Sequence, residues 1–339
     1  MNLTFHQDFS ELDPADWNSL LTESVSNVPF LRYEYLNAWW GTRGGGEWPP
    51  EAELALVSAR ENGRLIGIAP LFLAKHDSRP KCLLLGSIEI SDYLDLIVRP
   101  DDLPRFLPAL LDACVSSYAP GWGGFDWYNL PDASPTLPAL RAEAARRGWA
   151  FHEEIYRPTP YIPLPGDFET YLASIDKKQR HEIRRKMRRA AESGQNVRWY
   201  IVTDEATLDA EAEACCHLMA QDPAKQAFLT QTMRSQMKAM MHAAFKAGYL
   251  QLAFMEVDGQ KAAGYLNFDY NGRIWVYNSG LDQRFREFSP GWVLLGHLLQ
   301  WANEHGRREF DFMRGDEEYK YRFGAVNRHV MRVQFGPQG

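Results

Sequence analysis

Cysteine is scarce in this 339-residue chain. Its four residues, Cys82, Cys114, Cys215 and Cys216, form no CxxC pair, and the adjacent Cys215 and Cys216 do not easily reach one tetrahedral metal. Reduced, partly buried thiols and a cytoplasmic setting are the expectation. No HExxH or similar ligand pair groups the nine histidines, so no metal site is expected. A GxSxG nucleophile turn and a dinucleotide-binding glycine fingerprint are also missing. No apolar run reaches the roughly 18 residues of a membrane span. The N-terminal MNLTFHQDFSELDPADW has no basic start leading into an apolar core, so it does not read as a signal peptide. Basic excess is lacking too: 37 Lys and Arg face 44 Asp and Glu, a net charge of −7, which argues against a dedicated nucleic-acid binder.

The chain has enough apolar and aromatic residues, 45% and 13%, to bury one large core or two ordinary ones. Strand candidates Leu54–Ala59 and Leu65–Leu73 flank Asn62-Gly63, a strong hairpin signal. The second half repeats the plan with Leu250–Val257, Asp258-Gly259 and Ala262–Tyr270. LALVSARENGRLIGIAPLF and LAFMEVDGQKAAGYLNF share strand, glycine turn, strand and an internal glycine, Gly63 and Gly67 answering to Gly259 and Gly264. This weak internal repeat predicts two mixed α/β domains of related fold. Pro158, Pro160, Pro163 and Pro165 place the boundary near 155–165, giving domains 1–160 and 161–339.

Residues 174–191 form a basic helix candidate. Eight of the thirteen positions from Lys177 to Arg189 are lysine or arginine. Ile183, Met187 and Ala190 or Ala191 leave only a narrow apolar stripe. Such a helix reads either as a solvated surface helix packed by its thin stripe or, because like charges at i,i+4 disfavour it, as one relieved by an anionic partner: another face of the protein, a membrane surface, a nucleic acid or a phosphorylated ligand. Arg180, Arg184 and Arg188 align on one face.

A strand-like run, Arg273 to Ser279, precedes a loop and then Ser289-Pro290-Gly291, with serine as N-cap and proline at the first helical position. Free N–H groups at such a start attract phosphate, and Arg284 and Arg286 lie just upstream. Then comes the cluster Phe310-Asp311-Phe312-Met313-Arg314-Gly315-Asp316-Glu317-Glu318-Tyr319-Lys320. Asp316 and Lys320 form an i,i+4 pair, which reads equally as a local brace or as part of an acid–base site.

Together ASIDKKQRHEIRRKMRRA, the Ser-Pro-Gly helix start and FDFMRGDEEYKYRFG, with IGIAPLFL and SDYLD in the first half, resemble the CelD-like, cellulose-biosynthesis-associated family of GNAT acetyltransferases. That family is similar to the FemAB peptidyltransferases. The resemblance covers most of residues 25–325. It implies an α/β fold of two GNAT-like domains in tandem, each a mixed, mostly antiparallel sheet flanked by helices. Residues 1–160 would form the acceptor side and 161–339 the donor side. Arg284, Arg286, Ser289, Pro290 and Gly291 would cradle the pyrophosphate of an acyl-coenzyme A co-substrate, with Arg180 and Arg184 on further phosphates and no metal. An acceptor amine or hydroxyl, on a small molecule or a glycan or peptide precursor, would attack the thioester in the cleft between domains. Asp311 or Asp316 would take its proton, Tyr277 and Lys320 would stabilise developing charge, and Asp95 with Tyr93, Asp92 and Trp127 would orient the acceptor. Phe-Ser-Pro-Gly replaces the family's repeated glycines, which leaves the donor open. A FemAB-like aminoacyl transfer from charged transfer RNA, and a non-catalytic binding subunit of polysaccharide assembly, are the alternatives.

Overall fold

The computed structural model describes residues 1–77, 79–118 and 122–337. The chain divides into two compact units. One holds Met1–Arg157 together with the residues from His329 on; the other is Pro158–Arg328.

In the first unit the elements run β1 (Asn2–His6), α1 (Pro14–Thr22), α2 (Tyr33–Gly46), β2 (Glu53–Leu54), β3 (Leu56–Glu61), β4 (Arg64–Ala69), β5 (Leu71–His76), β6 (Arg79–Leu84), β7 (Ile97–Val98), α3 (Leu103–Tyr118), β8 (Phe125–Pro131), α4 (Thr136–Arg147) and β9 (Ala150–Pro158). In the second they run β10 (Tyr161–Pro163), α5 (Phe168–Ser174), α6 (Lys177–Ala191), β11 (Val197–Ile201), α7 (Leu208–Met219), α8 (Pro223–Phe228), α9 (Gln231–Lys246), β12 (Leu250–Val257), β13 (Gln260–Tyr270), β14 (Arg273–Leu281), α10 (Pro290–Glu304), β15 (Glu309–Asp311) and α11 (Glu318–Arg322). The final strand, β16 (His329–Gly336), returns to the first unit.

That unit contains a sheet ordered β1-β3-β4-β7 and a larger one ordered β2-β5-β6-β8-β16-β9. The single strand expected over Leu65–Leu73 is broken at Pro70, which has no N–H to donate to a ladder; β4 stays in the small sheet and β5 enters the large one. Residues from His329 on, expected in the second domain, belong here because β16 fills the slot between β8 and β9. Phe335 of β16 stacks on Phe125 at 4.5 Å and meets Trp127 edge-on at 5.2 Å. The polar half of the seam centres on the buried Asp126, whose carboxylate accepts from Arg332 at 2.8 and 2.9 Å, from Gln334 at 2.9 Å and from Lys81 at 3.2 Å.

The second unit is one six-stranded sheet ordered β10-β15-β14-β13-β12-β11. Strand alternation sends Ala253, Met255 and Val257 into the core beneath α5, α6 and α10, while Phe254 packs on the other face against Gly264, near Leu218 of α7.

The two hairpins inferred from the repeat share backbone details. Asn62-Gly63 and Asp258-Gly259 all have positive φ, 51°, 80°, 49° and 77°, as a tight two-residue hairpin turn requires. Each hairpin then steps its register by one residue, at Ile66 and at Ala262. A Cβ on Gly67 would stand 2.9 Å from the Phe106 ring, and one on Gly264 would stand 2.9 Å from the Phe254 ring. Glycine thus leaves room for ring packing at both places.

Burial alone would raise the Asp126 carboxyl, but bonds and charge from Arg332, aided by Lys81, hold it below the ordinary carboxylate range. Its contribution to stability is therefore present above the unfolded value, about 3.9, and is lost as pH falls through the lower folded value. Asp126→Asn is expected to cost about 3 kcal/mol at neutral pH. The gap to wild type should shrink in strong acid. Urea unfolding at about pH 7 and about pH 3 measures both effects.

Candidate active site

The parallel pair β14–β15 lasts only three residues: Arg273 faces Glu309, Ile274 faces Phe310 and Trp275 faces Asp311. Beyond Trp275, β14 continues to Leu281 with β13 alone as its sheet neighbour. Within this stretch the register against β13 steps at Tyr277, so that Val276 faces Asn267 and Asn278 faces Leu266. Such a bulge re-aims backbone groups beside a functional site.

At the end of β14 the chain turns through residues 282–289 into α10. Ser289 stands in a left-handed conformation, φ 52° and ψ 51°. The expected serine cap does not form: the Ser289 hydroxyl instead accepts from Arg189 of α6 at 3.2 Å. Pro290 has no N–H, and the first intrahelical bond is Val293 N–H to Ser289 O at 3.0 Å. The N–H groups of Gly291 and Trp292 thus head the helix, as phosphate binding requires.

Between the widened strand edge and this helix start lies a cavity of about 370 Å³. Ser279 and Leu281 of β14, Arg286, Ser289, Gly291 and Trp292 around the loop, and Tyr319 and Phe323 beyond β15 are among its walls. The Tyr265 hydroxyl donates to Gly291 O at 3.3 Å, and burial raises its pKa so that it stays neutral. Lys225, from the short α8, donates to the Ser279 carbonyl at 2.5 Å. Burial lowers its pKa, against the opposing pull of Asp222 and Glu317.

Of the loop residues expected to meet phosphate, Arg286, Ser289 and Gly291 share this cavity. Arg284 does not: its guanidinium folds back onto Asp282 at 2.7 to 3.1 Å. Arg180 and Arg184 are likewise committed, Arg180 to the Leu172 and Ala173 carbonyls and Arg184 to Glu169. Arg185, Arg188 and Arg189 lie beside the loop instead.

The acidic-aromatic cluster divides in two. Asp311 is fully buried, accepts from Met313 N–H at 2.7 Å and is ion-paired to Arg328; an aspartate so enclosed is a structural anchor. Lys320 is buried and donates to the carbonyls of Arg314 and Gly315 at 3.0 Å each. Its carboxylate partner is Glu317 at 2.8 Å rather than the expected Asp316. It braces the 314–317 turn. Asp316 is exposed and makes no ion pair among the described residues.

The first unit departs from the acceptor site expected of it. Asp95 is fully buried and accepts from Ser26, Ser134 and Thr136 hydroxyls at 2.5, 2.5 and 2.6 Å and from Leu96 N–H at 2.8 Å. Burial raises its pKa against those bonds. Tyr93 and Trp127 are buried core residues; Asp92 is half-buried. Among the described residues no short strand–loop–helix start of the β14–α10 kind leads into α3: the chain leaving β6 passes through β7 first, and Asp101-Asp102 precede α3. His76, Asp77 and Asp126 bring donor atoms within 4.8 Å of one another; Lys81 and Arg332 already supply the positive charge there. Cys215 and Cys216 are buried, and burial raises both thiols, which suits neither to nucleophilic attack.

Strand, bulge, helix start and cavity all fall within one stretch of sequence with a known signature. Residues 177–321 match the family model of the acetyltransferase (GNAT) domain. The matched stretch runs from α6 to α11 and includes every residue lining the cavity at β14 except Phe323. No curated protein matches the sequence. Among solved structures the chain is similar to FemX, at 14% identity over 98% of this chain and 97% of that one, TM-score 0.66. It is also similar to the C-terminal domain of a putative lysylphosphatidylglycerol synthetase from Agrobacterium fabrum, at 10% identity over 96% and 92%, TM-score 0.55. A third is a tandem GNAT protein from the clavulanic acid biosynthesis pathway, at 15% identity over 100% and 99%, TM-score 0.51. These are likenesses of fold, and the fold is two GNAT-like halves in tandem.

Sequence reasoning missed Lys225, which lies 54 residues from the carbonyl it meets; only folding joins them. Arg185, Arg188 and Arg189 carried a usable signal, the i, i+3, i+4 spacing of one helix face. A tight glycine lies between the cavity-lining Ser279 and Leu281: a Cβ on Gly280 of β14 would stand 2.3 Å from backbone atoms of Leu218 and Met219 of α7. Gly280→Ala is expected to cost about 3 kcal/mol, read as a fall in Tm. Gly41→Ala, whose Cβ meets nothing within 4 Å, should leave Tm unchanged or slightly raised.

Proposed function

We propose that this protein is a GNAT-type acyltransferase of the CelD-like kind. It would move an acetyl or longer acyl group from a coenzyme A thioester to an amine or hydroxyl of a small molecule or of a cell-envelope or polysaccharide precursor. The observation that carries this reading is the parting of β14 from β15 over a cavity headed by the Ser289-Pro290-Gly291 helix start. The edge of β14 left open from Val276 to Leu281 suits an extended pantetheine arm with its amide groups. The N–H groups of Gly291 and Trp292, with Arg286, suit a pyrophosphate. No helix among the described residues is long and apolar enough to cross a membrane, and a cytoplasmic setting, where acyl thioesters and reduced cysteines coexist, completes the reading.

In the proposed step, the acceptor lone pair attacks the thioester carbonyl carbon near the Tyr277 bulge. The new C–N or C–O bond forms, the C–S bond breaks, and coenzyme A leaves as thiolate. Asp316, exposed beyond the end of β15, takes the acceptor proton. Lys225, its ammonium weakened by burial, gives a proton to the departing sulfur. Lys320 keeps the turn bearing Asp316 in shape. Ordering both reactants supplies much of the acceleration.

Aminoacyl transfer from charged transfer RNA is the second reading. Helix α6, with eight cations between Lys177 and Arg189, is the observation that favours it; a gel shift at moderate salt tests it.

Calorimetric titration with coenzyme A and acetyl-coenzyme A should give saturable binding, and a panel of amines and alcohols should elicit thiol release. No binding of either thioester or free coenzyme A would sink the proposal. Asp316→Asn should lower kcat by about 10²- to 10⁴-fold with unchanged coenzyme A affinity and Tm. Arg286→Gln should weaken coenzyme A binding about tenfold.

A further inference from the structure

Helix α6 crosses α10 closely: a Cβ on Gly296 would stand 2.8 Å from Met187 Sδ. With Ile183 and Ala190 buried in the same seam, the face carrying Arg185, Arg188 and Arg189 turns toward the loop before α10. There it walls a second cavity, of about 600 Å³, with Glu192, Glu287 and Phe288. Loop residues 286–289 separate this cavity from the one at β14: Arg286 and Ser289 line one, Glu287 and Phe288 the other. Arg189 ties the two sides together by donating to the Glu287 carbonyl and the Ser289 hydroxyl.

The three arginines are unequally committed. Arg185 is paired with Glu182 at 2.8 Å and Arg189 holds the loop, whereas Arg188 is exposed and makes no ion pair among the described residues. Glu192 and Glu287 share the cavity and are exposed. With three arginines against two carboxylates the lining carries both signs, which suits a compact ligand offering donors as well as phosphate better than a uniformly anionic membrane or a long phosphate backbone. A single nucleotide would use both signs, its phosphate meeting arginine and its hydroxyl and amino donors meeting glutamate.

We infer that this arginine-lined cavity is the seat of the nucleotide end of coenzyme A, with Arg188 binding the ribose 3′-phosphate. The inference rests on the proposed donor. The pyrophosphate at the helix start would join the two cavities, with the pantetheine arm running to one side and the adenosine 3′-phosphate to the other. One charge contact to the donor then comes from the helix whose Arg189 already reaches 100 residues along the chain to Ser289.

The test compares coenzyme A with 3′-dephospho-coenzyme A by calorimetry on the full chain, for wild type, Arg188→Gln and Arg188→Lys. Wild type should bind coenzyme A about tenfold more tightly. R188Q should erase that preference by weakening coenzyme A alone, and R188K should restore part of it. Because Arg188 is exposed and unpaired, an unchanged Tm accompanies this result. Equal wild-type affinity for the two ligands, or an equal loss of both in R188Q, overturns the inference and leaves the acyltransferase reading intact. Failure of both ligands to bind overturns both. A gel shift with bulk transfer RNA that R188Q abolishes, with coenzyme A binding unaltered, assigns the face to RNA and also overturns the inference.

Discussion

The buried pair between Asp311 and Arg328 is the constraint on which the rest of the site depends. Asp311 is the last residue of β15, and its two oxygens are held by different partners, Met313 N–H and Arg328. Met313 takes a positive φ of 55°, and the chain bends away where a longer strand would have kept pairing with β14. Separation of the strands is therefore built from a charge buried at the end of one of them. A buried pair of this kind adds little net stability over an apolar substitute, but removing one partner is expensive. Its worth here lies in fixing where the ladder stops.

The two halves of the chain share a hairpin and differ at the helix that follows it in the sheet. Both hairpins have the same tight turn, a one-residue register step and a glycine beneath a packed ring. In the second unit β14 leads through one short loop to a helix start with free N–H groups, whereas in the first a long connection containing the two-residue β7 intervenes and aspartates precede the helix. One half thus has a helix start open beside a cavity, and the other has buried core after its hairpin. The Asp95 knot, with three hydroxyls and one amide on a fully buried carboxylate, is part of that core.

What was legible in the sequence was mostly local. Turn chemistry at Asn62-Gly63 and Asp258-Gly259, and the proline that opens α10, marked the right elements because their backbone preferences act within four residues. The internal repeat gave the tandem fold. Reading Asp311 and Asp95 as chemistry failed for a common reason: a lone aspartate in an apolar run looks the same whether it faces a ligand or a buried set of donors. The partners that decide between these, Arg328 and Ser26 with Ser134 and Thr136, are set by tertiary packing. The Ser289 cap failed differently, since its left-handed backbone departs from the extended conformation a capping side chain needs. The basic helix was visible as charge, yet which arginines meet the loop followed from how Met187 and Gly296 set its rotation.

The return of β16 to the first unit has a consequence for how the protein is made. The slot between β8 and β9 lies inside a sheet, so until the last strand arrives both neighbours present bare edges and the ring of Phe125 lacks its cover. All of the second unit leaves the ribosome before that strand does. Pro158–Arg328 is thus a compact insertion with a sheet of its own, lying in sequence between the first 157 residues and the strand that completes their sheet. Thr159 N–H meets Arg328 O at 2.8 Å at the base of the insertion, so the second unit is closed at its two ends, and the chain enters and leaves it at one place.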